Sequence, residues 1–152
     1  MMKTFKSFFA FFLVSVLVLS VNSCKNNSED LGYFVDAQTA QRFKGFIDTQ
    51  GAGAQIVDFR SKTEYDAGHI PGAIWIQATV QNTKSNKSSF CKEISEKMDK
   101  SKPVFLYGKK NDIALGKVVP GRVAKIGFSS TYYMGDGFES WKDAGFEVVV
   151  TP

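Results

Sequence analysis

Short runs of apolar residues alternate along the chain with stretches in which apolar side chains recur every third or fourth position. The runs are rich in β-branched and aromatic residues and are typical of strands that are buried on both faces of a sheet. We place predicted strands at residues 33–35, 56–59, 74–76, 104–107 and 131–134. The stretches between them have the spacing of amphipathic helices.

Two of the predicted helices combine an apolar face with a capping residue. The first has its apolar positions within residues 43–47, and Asp36 is a suitable N-cap for it. The second has apolar residues at every fourth position over 90–98, and Ser88 or Ser89 can cap it. Each of these helices should therefore bury one face.

Polar and glycine-containing segments connect the elements. Residues 77–87 predict a solvated connection, and residues 108–117 predict a loop. Pro120 fits the first turn of a helix that ends at Gly127, and a last helix is predicted at 138–144. Strands that alternate with helices predict an α/β fold with a mostly parallel five-stranded sheet and helices on both faces. Ligands of such sheets bind at the carboxyl ends of the strands.

The segment from residue 55 to 76 holds the densest set of local signals. Ser61 and Glu64 have the spacing of a capping box, which predicts that a helix begins after Ser61. Gly68 can adopt the left-handed conformation that ends such a helix, and Pro71 prevents its continuation. This segment therefore predicts a strand, a short helix, a turn and a second strand.

The same segment closely resembles the first signature of the rhodanese-like (sulfurtransferase) family. The similar residues are 58–60, Asp-Phe-Arg, and 64–73, which begin with Glu-Tyr-Asp-Ala-Gly-His. A second stretch, 135–145, resembles the closing glycine pair and the Trp-x-x-Ala-Gly helix end of that family. The resemblance covers about residues 33–152 and implies one rhodanese-like domain with three layers. It implies structural roles for four motif residues: His69, Pro71, Gly72 and Trp141.

The resemblance also implies where a catalytic residue should stand. Rhodaneses place a cysteine at the carboxyl end of the fourth main strand, where backbone amides stabilise its thiolate and the persulfide formed from it. Here that strand, 104–107, is followed by Gly108. The arginine that the family often has five residues later corresponds to Ile113. We therefore expect no catalytic residue at this position.

Cys91 is the other thiol to consider as a nucleophile. It lies at the first turn of a predicted helix, where the helix dipole could lower its pKa. The alternative is a half-buried structural residue beside the apolar stripe, which we favour because free cysteine usually behaves as a small hydrophobic residue.

The crevice residues could bind a small anion or an unidentified protein. Asp58 and Arg60 could pair beside the crevice, although a purely structural ion pair is an equal alternative. Lys109, Lys110 and the backbone amides after Gly108 could hold an anion, although two lysines on a surface loop are more often simply solvated. The predicted binding set is Asp58, Arg60, Gly108, Lys109, Lys110, Asn111, Asp112 and Ile113. No cofactor is expected, and the only histidine, His69, predicts no metal site.

The amino-terminal residues predict export and lipid attachment. Residues 1–23 combine lysines, an apolar stretch and a small-residue end, as a secretory signal does. Val21-Asn22-Ser23 before Cys24 resembles a bacterial lipobox, which implies a lipid on Cys24 and a membrane anchor. Residues 24–32 would be a tether. Lys25 favours the outer membrane by resemblance to enterobacterial lipoproteins.

Charge adds little about partners. The precursor has a net charge of +4, and no long basic run argues for nucleic acid. We therefore hypothesise a catalytically inactive rhodanese-like lipoprotein that acts as a binding or interaction module in the cell envelope. The alternatives are a sulfurtransferase of the thiosulfate type that uses another thiol such as Cys91, and an anion-binding protein.

Overall fold

The computed structural model describes residues 37–152, and these contain one five-stranded sheet. Its strands are β1 (Ala37–Gln38), β2 (Gln55–Asp58), β3 (Ala73–Trp75), β4 (Val104–Tyr107) and β5 (Thr131–Met134). Their order is β1-β5-β4-β2-β3, and every neighbouring pair is parallel. The predicted α/β fold is therefore confirmed.

Residues 37–152 form five α-helices. They are α1 (Ala40–Gln50), α2 (Lys62–Ala67), α3 (Ser89–Lys97), α4 (Ile113–Lys125) and α5 (Gly137–Asp143). Side chains of α3 and α4 pack on one face of the sheet, and side chains of α1 and α5 pack on the other. This arrangement gives the expected three layers.

The two cores are separated by the alternation of side chains along each strand. Val57 and Leu106 face α3 and α4, whereas Ile56 and Phe105 face α1 and α5. All four side chains are at most 3% exposed. Burial on both faces explains why the strands appear in the sequence as continuous apolar runs.

The start of the first helix differs from the prediction. The N-cap of α1 is Thr39, whose hydroxyl accepts a hydrogen bond from the Arg42 N–H at 3.4 Å, and it is not Asp36. The reason is that Ala37 and Gln38 are still extended, since they pair with β5. The predicted strand at 33–35 lies outside the described residues.

The rest of the amino-terminal predictions also lie outside the described residues. These predictions are the signal at 1–23, the lipid attachment at Cys24 and the tether at 24–32. Between residues 37 and 152, none of the helices has the length and apolar character needed to span a bilayer.

The capping box of α2 is confirmed, but its end differs from the prediction. The Ser61 hydroxyl accepts from the Glu64 N–H, and the Glu64 side chain accepts from the Ser61 N–H. Gly68 caps the carboxyl end with an extended φ of 161°, not a left-handed one. The left-handed residue is Gly72, with φ 79°, in a turn closed by the Ala73 N–H donating to the Ile70 carbonyl.

The connection at 77–87 is more ordered than its polar composition predicted. Thr79 and Asn82 exchange two side chain to backbone hydrogen bonds, of 2.7 and 3.1 Å. The Thr83 hydroxyl donates to the Thr79 carbonyl, and Thr83 is 2% exposed. These polar side chains replace backbone pairing within the segment, and most of its residues are exposed, as expected for a solvated connection.

The largest error in the predicted elements concerns α4. It begins at Ile113, so Pro120 lies inside the helix and not in its first turn. Pro120 cannot donate to the Gly116 carbonyl, which costs a helix interior about 3 kcal/mol. Leu115, Val119 and Val123 lie at every fourth position and pack into the core. Burial of about 1.5–3 kcal/mol per large side chain outweighs the loss at Pro120.

Candidate functional site: the carboxyl ends of β2 and β4

Gly108 directly follows β4 and lies beside the carboxyl end of β2. The two strands pair up to Asp58 and Tyr107, and the Phe59 N–H still donates to the Tyr107 carbonyl at 3.1 Å. The loop from Gly108 to Asp112 then leads into α4. The structure therefore puts Gly108 at the strand end where ligands of parallel sheets bind.

The ring of Phe59 fills the space next to Gly108. A Cβ atom at residue 108 would lie 2.2 Å from Cε2 and 2.5 Å from Cζ of that ring. Phe59 is only 2% exposed and stacks on Tyr133, with 6.3 Å between the ring centroids. Residue 108 can therefore carry no side chain unless a buried ring moves.

Tyr133 stands in the same relation to Gly116 of α4. A Cβ atom at residue 116 would lie 2.4 Å from the Tyr133 hydroxyl oxygen. Burial raises the pKa of Tyr133, and the negative charges of Asp112 and Asp136 raise it further. Two aromatic rings opposite two glycines thus fill this end of the sheet, and the tyrosine stays neutral.

Carboxylates already accept hydrogen bonds from one amide of the loop and from one amide in the first turn of α4. The Lys110 N–H donates to Glu139 Oε2 at 2.9 Å, and the Leu115 N–H donates to Asp112 Oδ1 at 3.1 Å. Asn111 has a left-handed φ of 63°, and its carbonyl accepts from the Ile113 N–H at 2.9 Å. An anion that uses the Lys110 or Leu115 amide would have to displace an acidic side chain of the protein.

Helix α5 holds the loop from the other side. The Phe138 N–H donates to the Gly108 carbonyl at 2.9 Å. Gly137 has φ 72°, and a Cβ atom there would lie 2.1 Å from the Lys110 nitrogen. The backbone of the loop therefore rests directly on the first residues of α5.

The two lysines of the loop have different surroundings. Lys109 pairs with Glu64, with 2.9 Å between Nζ and Oε1. Burial acts to raise the Glu64 pKa, but hydrogen bonds from Ser61 and Lys109 outweigh it and hold the pKa below its usual value. Lys110 is exposed, and Ile113 at the start of α4 is 69% exposed. Within the predicted binding set, the exposed residues are Lys109, Lys110, Asn111 and Ile113.

Asp58 and Arg60 form a buried ion pair. Asp58 is 0% exposed and Arg60 is 6% exposed. Arg60 donates through Nε and Nη2 to the Asp58 carboxylate, and through Nη2 to the Gly68 carbonyl at 2.6 Å. Its guanidinium lies 3.9 Å from the Phe138 ring centroid. Burial acts to lower the Arg60 pKa, but Asp58 outweighs it and raises that pKa. The arrangement favours the structural alternative for this pair.

The motif residues join α2, the following turn and the carboxyl terminus. His69 Nδ1 lies 2.9 Å from the Tyr65 carbonyl, so this nitrogen carries the proton. The His69 backbone also pairs with Val149. Pro71 and Gly72 form the turn before β3, and the Trp141 indole donates to the Glu147 carbonyl at 2.8 Å. These contacts fix the shape of the chain around the site without entering it.

Cys91 is the one cysteine among residues 37–152, and it is 1% exposed. It packs in the core beside Phe90 and Ile94, and burial raises its pKa. Burial thus acts against the lowering of the Cys91 pKa that the helix dipole could give, which weighs against the alternative in which Cys91 is a nucleophile. A neutral, enclosed thiol has little nucleophilic character.

Sequence reasoning missed the residues that close the site. Phe59, Gly137 and Glu139 were identified only as parts of the two family-like stretches, and Tyr133 only as part of a predicted strand. A large aromatic residue directly after Asp58, one position past the end of a buried strand, was the available signal for Phe59. Glu139 is far from the loop in sequence, so no local pattern could connect them.

The sequence model described as "Rhodanese-like domain" matches residues 39–144. A search of curated proteins by sequence found no match. Among solved structures, the rhodanese-like domain of the Alr3790 protein from Anabaena sp. is similar, with TM-score 0.58 and 19% identity over 75% of this chain and 78% of that chain. The BH2092 protein from Bacillus halodurans has TM-score 0.58 and 23% identity over 76% of this chain and 77% of its own.

An enzyme of known name is also similar in fold. Thiosulfate sulfurtransferase from Pseudomonas aeruginosa superposes with TM-score 0.55 and 16% identity, over 78% of this chain but 21% of that chain.

Proposed function

The chain belongs to the rhodanese-like domain family, and from that membership we propose that it is a non-catalytic member that acts as a binding or interaction module. It is related to sulfurtransferases. In the chemistry that the resemblance implies, a thiolate takes sulfur from thiosulfate, holds it as a persulfide and passes it to cyanide. A fold can persist when such a site is lost.

The observation that carries this proposal is that residues 37–152 contain no accessible thiol. Gly108 stands where the family's nucleophile is expected, and the thiol of Cys91 is buried in the core with a raised pKa. Nucleophilic attack needs an accessible thiolate. Neither position provides one.

A thiocyanate assay tests the proposal directly. The full chain is incubated with thiosulfate and cyanide, beside the same chain with Cys91→Ser and beside an active thiosulfate sulfurtransferase as positive control. We expect no thiocyanate above the uncatalysed rate from either form of this protein. Thiocyanate formation that survives Cys91→Ser would contradict the proposal, because it would require a site other than Cys91.

The two alternatives have separate tests. A sulfurtransferase that uses Cys91 predicts a gain of one sulfur atom on the peptide containing that residue, and the burial of Cys91 weighs against it. An anion-binding protein predicts that sulfate, thiosulfate or phosphate stabilises the folded state at low concentration. The occupation of the Lys110 and Leu115 amides by carboxylates weighs against that alternative.

A protein partner fits the exposed surface beside the loop better than a small anion does. Ile113 is 69% exposed and Val118, on the same helix, is 38% exposed. Exposed apolar side chains can be covered by a partner, although isolated ones are common on protein surfaces. A pull-down with the lipidated chain and with an Ile113→Asp variant tests this. Loss of a captured partner in the variant is the expected result.

The proposed location is the cell envelope, with the domain attached through a lipid on Cys24. The lipobox-like residues 21–24 and the preceding apolar stretch support it. Metabolic labelling with palmitate should mark the intact chain and fail with Cys24→Ala. An unlabelled intact chain recovered in the soluble fraction would contradict the anchor.

A further inference from the structure

The Phe59 ring fills the space next to Gly108. The absence of a cysteine at residue 108 would not by itself require that this space be filled. Gly108 is not in the left-handed region, so its own backbone would accept a side chain. What prevents a side chain at residue 108 is a neighbouring residue, Phe59. Three atoms of the Phe59 ring lie 2.2, 2.5 and 3.0 Å from the place of a Cβ atom at residue 108.

The ring has little freedom to leave this position. Phe59 is 2% exposed and belongs to the core under α3 and α4. Its N–H donates to the Tyr107 carbonyl, and its carbonyl accepts from the Ala78 N–H, both at 3.1 Å. Tyr133 stacks on the ring, and Gly116 leaves room for the Tyr133 hydroxyl. Moving the ring would therefore disturb two strands and one helix.

We infer that Phe59 is a second determinant of the inactive site: its ring occupies the position of the nucleophile's side chain, so that a thiol introduced at residue 108 alone could not act. This inference rests on the proposed absence of catalysis and extends it. Phe59 would then determine whether the carboxyl end of β4 has room for a reactive side chain. Replacing Phe59 with a smaller strand-forming residue should open that place.

The chemistry to be tested is the first half of sulfur transfer. A thiolate attacks the outer sulfur of thiosulfate and forms a new sulfur–sulfur bond. The sulfur–sulfur bond of thiosulfate breaks, and sulfite leaves with the electron pair. The protein sulfur becomes a persulfide, and the proton of the original thiol goes to solvent. This half-reaction needs no further reactant, and it leaves a mass increase of one sulfur atom on the modified peptide.

The experiment compares four full-length proteins: the unaltered chain, Gly108→Cys, Phe59→Val/Gly108→Cys and Gly45→Cys. Gly45 is exposed and has no atom within 4 Å of its Cβ position, so its variant reports an unhindered thiol away from the site. After treatment with thiosulfate, peptide mapping by mass spectrometry locates any persulfide. We expect the adduct at residue 108 in the double variant and little or none there in Gly108→Cys. Gly45→Cys should not form it, since no amides of the site lie around that thiol.

A stability cycle keeps the inference testable if Gly108→Cys does not fold. Thermal midpoints are measured for Gly108→Ala, Phe59→Val and their combination. We expect Gly108→Ala to lower the midpoint in the unaltered background and to lower it much less in the Phe59→Val background. Equal losses in both backgrounds would overturn the inference.

Two further outcomes would overturn it. One is a Gly108→Cys protein that forms the persulfide as readily as the double variant. The other is a folded double variant whose introduced thiol stays unmodified. Thiocyanate production by the unaltered chain would instead contradict the proposed function, and the comparison of single and double variants would still decide the role of Phe59.

Discussion

Gly137 lies directly against the backbone of Lys110, so that a Cβ atom at residue 137 would be 2.1 Å from the Lys110 nitrogen. The next residue, Phe138, donates its N–H to the Gly108 carbonyl, and Glu139 accepts from the Lys110 N–H. Three consecutive residues of α5 thus fix the loop that follows β4. The loop keeps its shape through contacts with the protein itself.

The first prediction concerns this contact. Gly137→Ala places a methyl group on the Lys110 backbone and also imposes a left-handed alanine, because Gly137 has φ 72°. We expect a loss of more than about 2 kcal/mol in the free energy of unfolding, measured with urea. Gly145→Ala is the matched control, since Gly145 has φ 73° and no atom within 4 Å of its Cβ position. It should lose only about 1 kcal/mol. Similar losses in both variants would mean that the contact is unimportant.

The second prediction concerns the buried ion pair. Arg60→Leu leaves the Asp58 carboxylate, which is 0% exposed, without its partner. We expect a loss of about 3–5 kcal/mol in the free energy of unfolding, since an uncompensated buried charge is costly. Lys44→Ala breaks the surface pair with Asp48 and should cost less than about 1 kcal/mol. Urea unfolding at neutral pH measures both. An Arg60→Leu loss as small as the surface control would show that Asp58 is not buried as a charge.

The third prediction concerns alkaline pH. Burial and the Asp58 carboxylate raise the pKa of Tyr107 far above its usual value. The unfolded chain releases this proton near pH ~10, whereas the folded protein retains it. The stabilising contribution is therefore complete below about pH 10 and is lost as the pH rises above that value, by up to about 1.4 kcal/mol per pH unit. Tyr107→Phe should show a shallower fall in stability between pH 10 and 11 by about that slope. An unchanged slope would contradict the assignment to Tyr107.

The fourth prediction concerns Cys91. Because its thiol is 1% exposed and has a raised pKa, iodoacetamide should modify it only as fast as the protein opens. The exposed thiol of a Gly45→Cys variant should react at the rate of a free thiol under the same conditions. Intact mass measurements over time distinguish the two. Fast modification of native Cys91 would revive the alternative in which it is a nucleophile.

The sequence predicted the architecture well because local signals and burial agree in most elements. The capping box at Ser61 and the apolar run at Val104–Tyr107 each identify an element without help from distant residues. Prediction failed where distant contacts outweigh local preference. Gly116 and Pro120 have low helix propensity, so the local sequence disfavours a helix there. The helix forms nevertheless, because the Tyr133 hydroxyl occupies the space beside Gly116 and Val119 is buried in the core.

The site was predicted only in part. Sequence alone identified Gly108 as the position to inspect, and that residue does follow β4 at the strand end. It could not reveal that Phe59 fills the adjoining space, since Phe59 and Gly108 follow the ends of two different strands that pair only in the folded sheet. The sequence could not decide whether Asp58 and Arg60 bind at the crevice or form a structural ion pair, because the enclosure of Arg60 involves Phe138, which lies far along the chain.

The hydrogen bonds from the Lys110 N–H to Glu139 and from the Leu115 N–H to Asp112 occupy two backbone amides that a bound anion could otherwise use. A small anion would compete with carboxylates that the fold holds beside these amides at a fixed local concentration. The observed affinity for the anion is the intrinsic affinity multiplied by the fraction of time for which the carboxylates are away from the amides. The acidic side chains of the protein thus lower the affinity of the loop for anions. Neutralising Glu139 would be the most direct way to raise that affinity, because it would free the Lys110 amide.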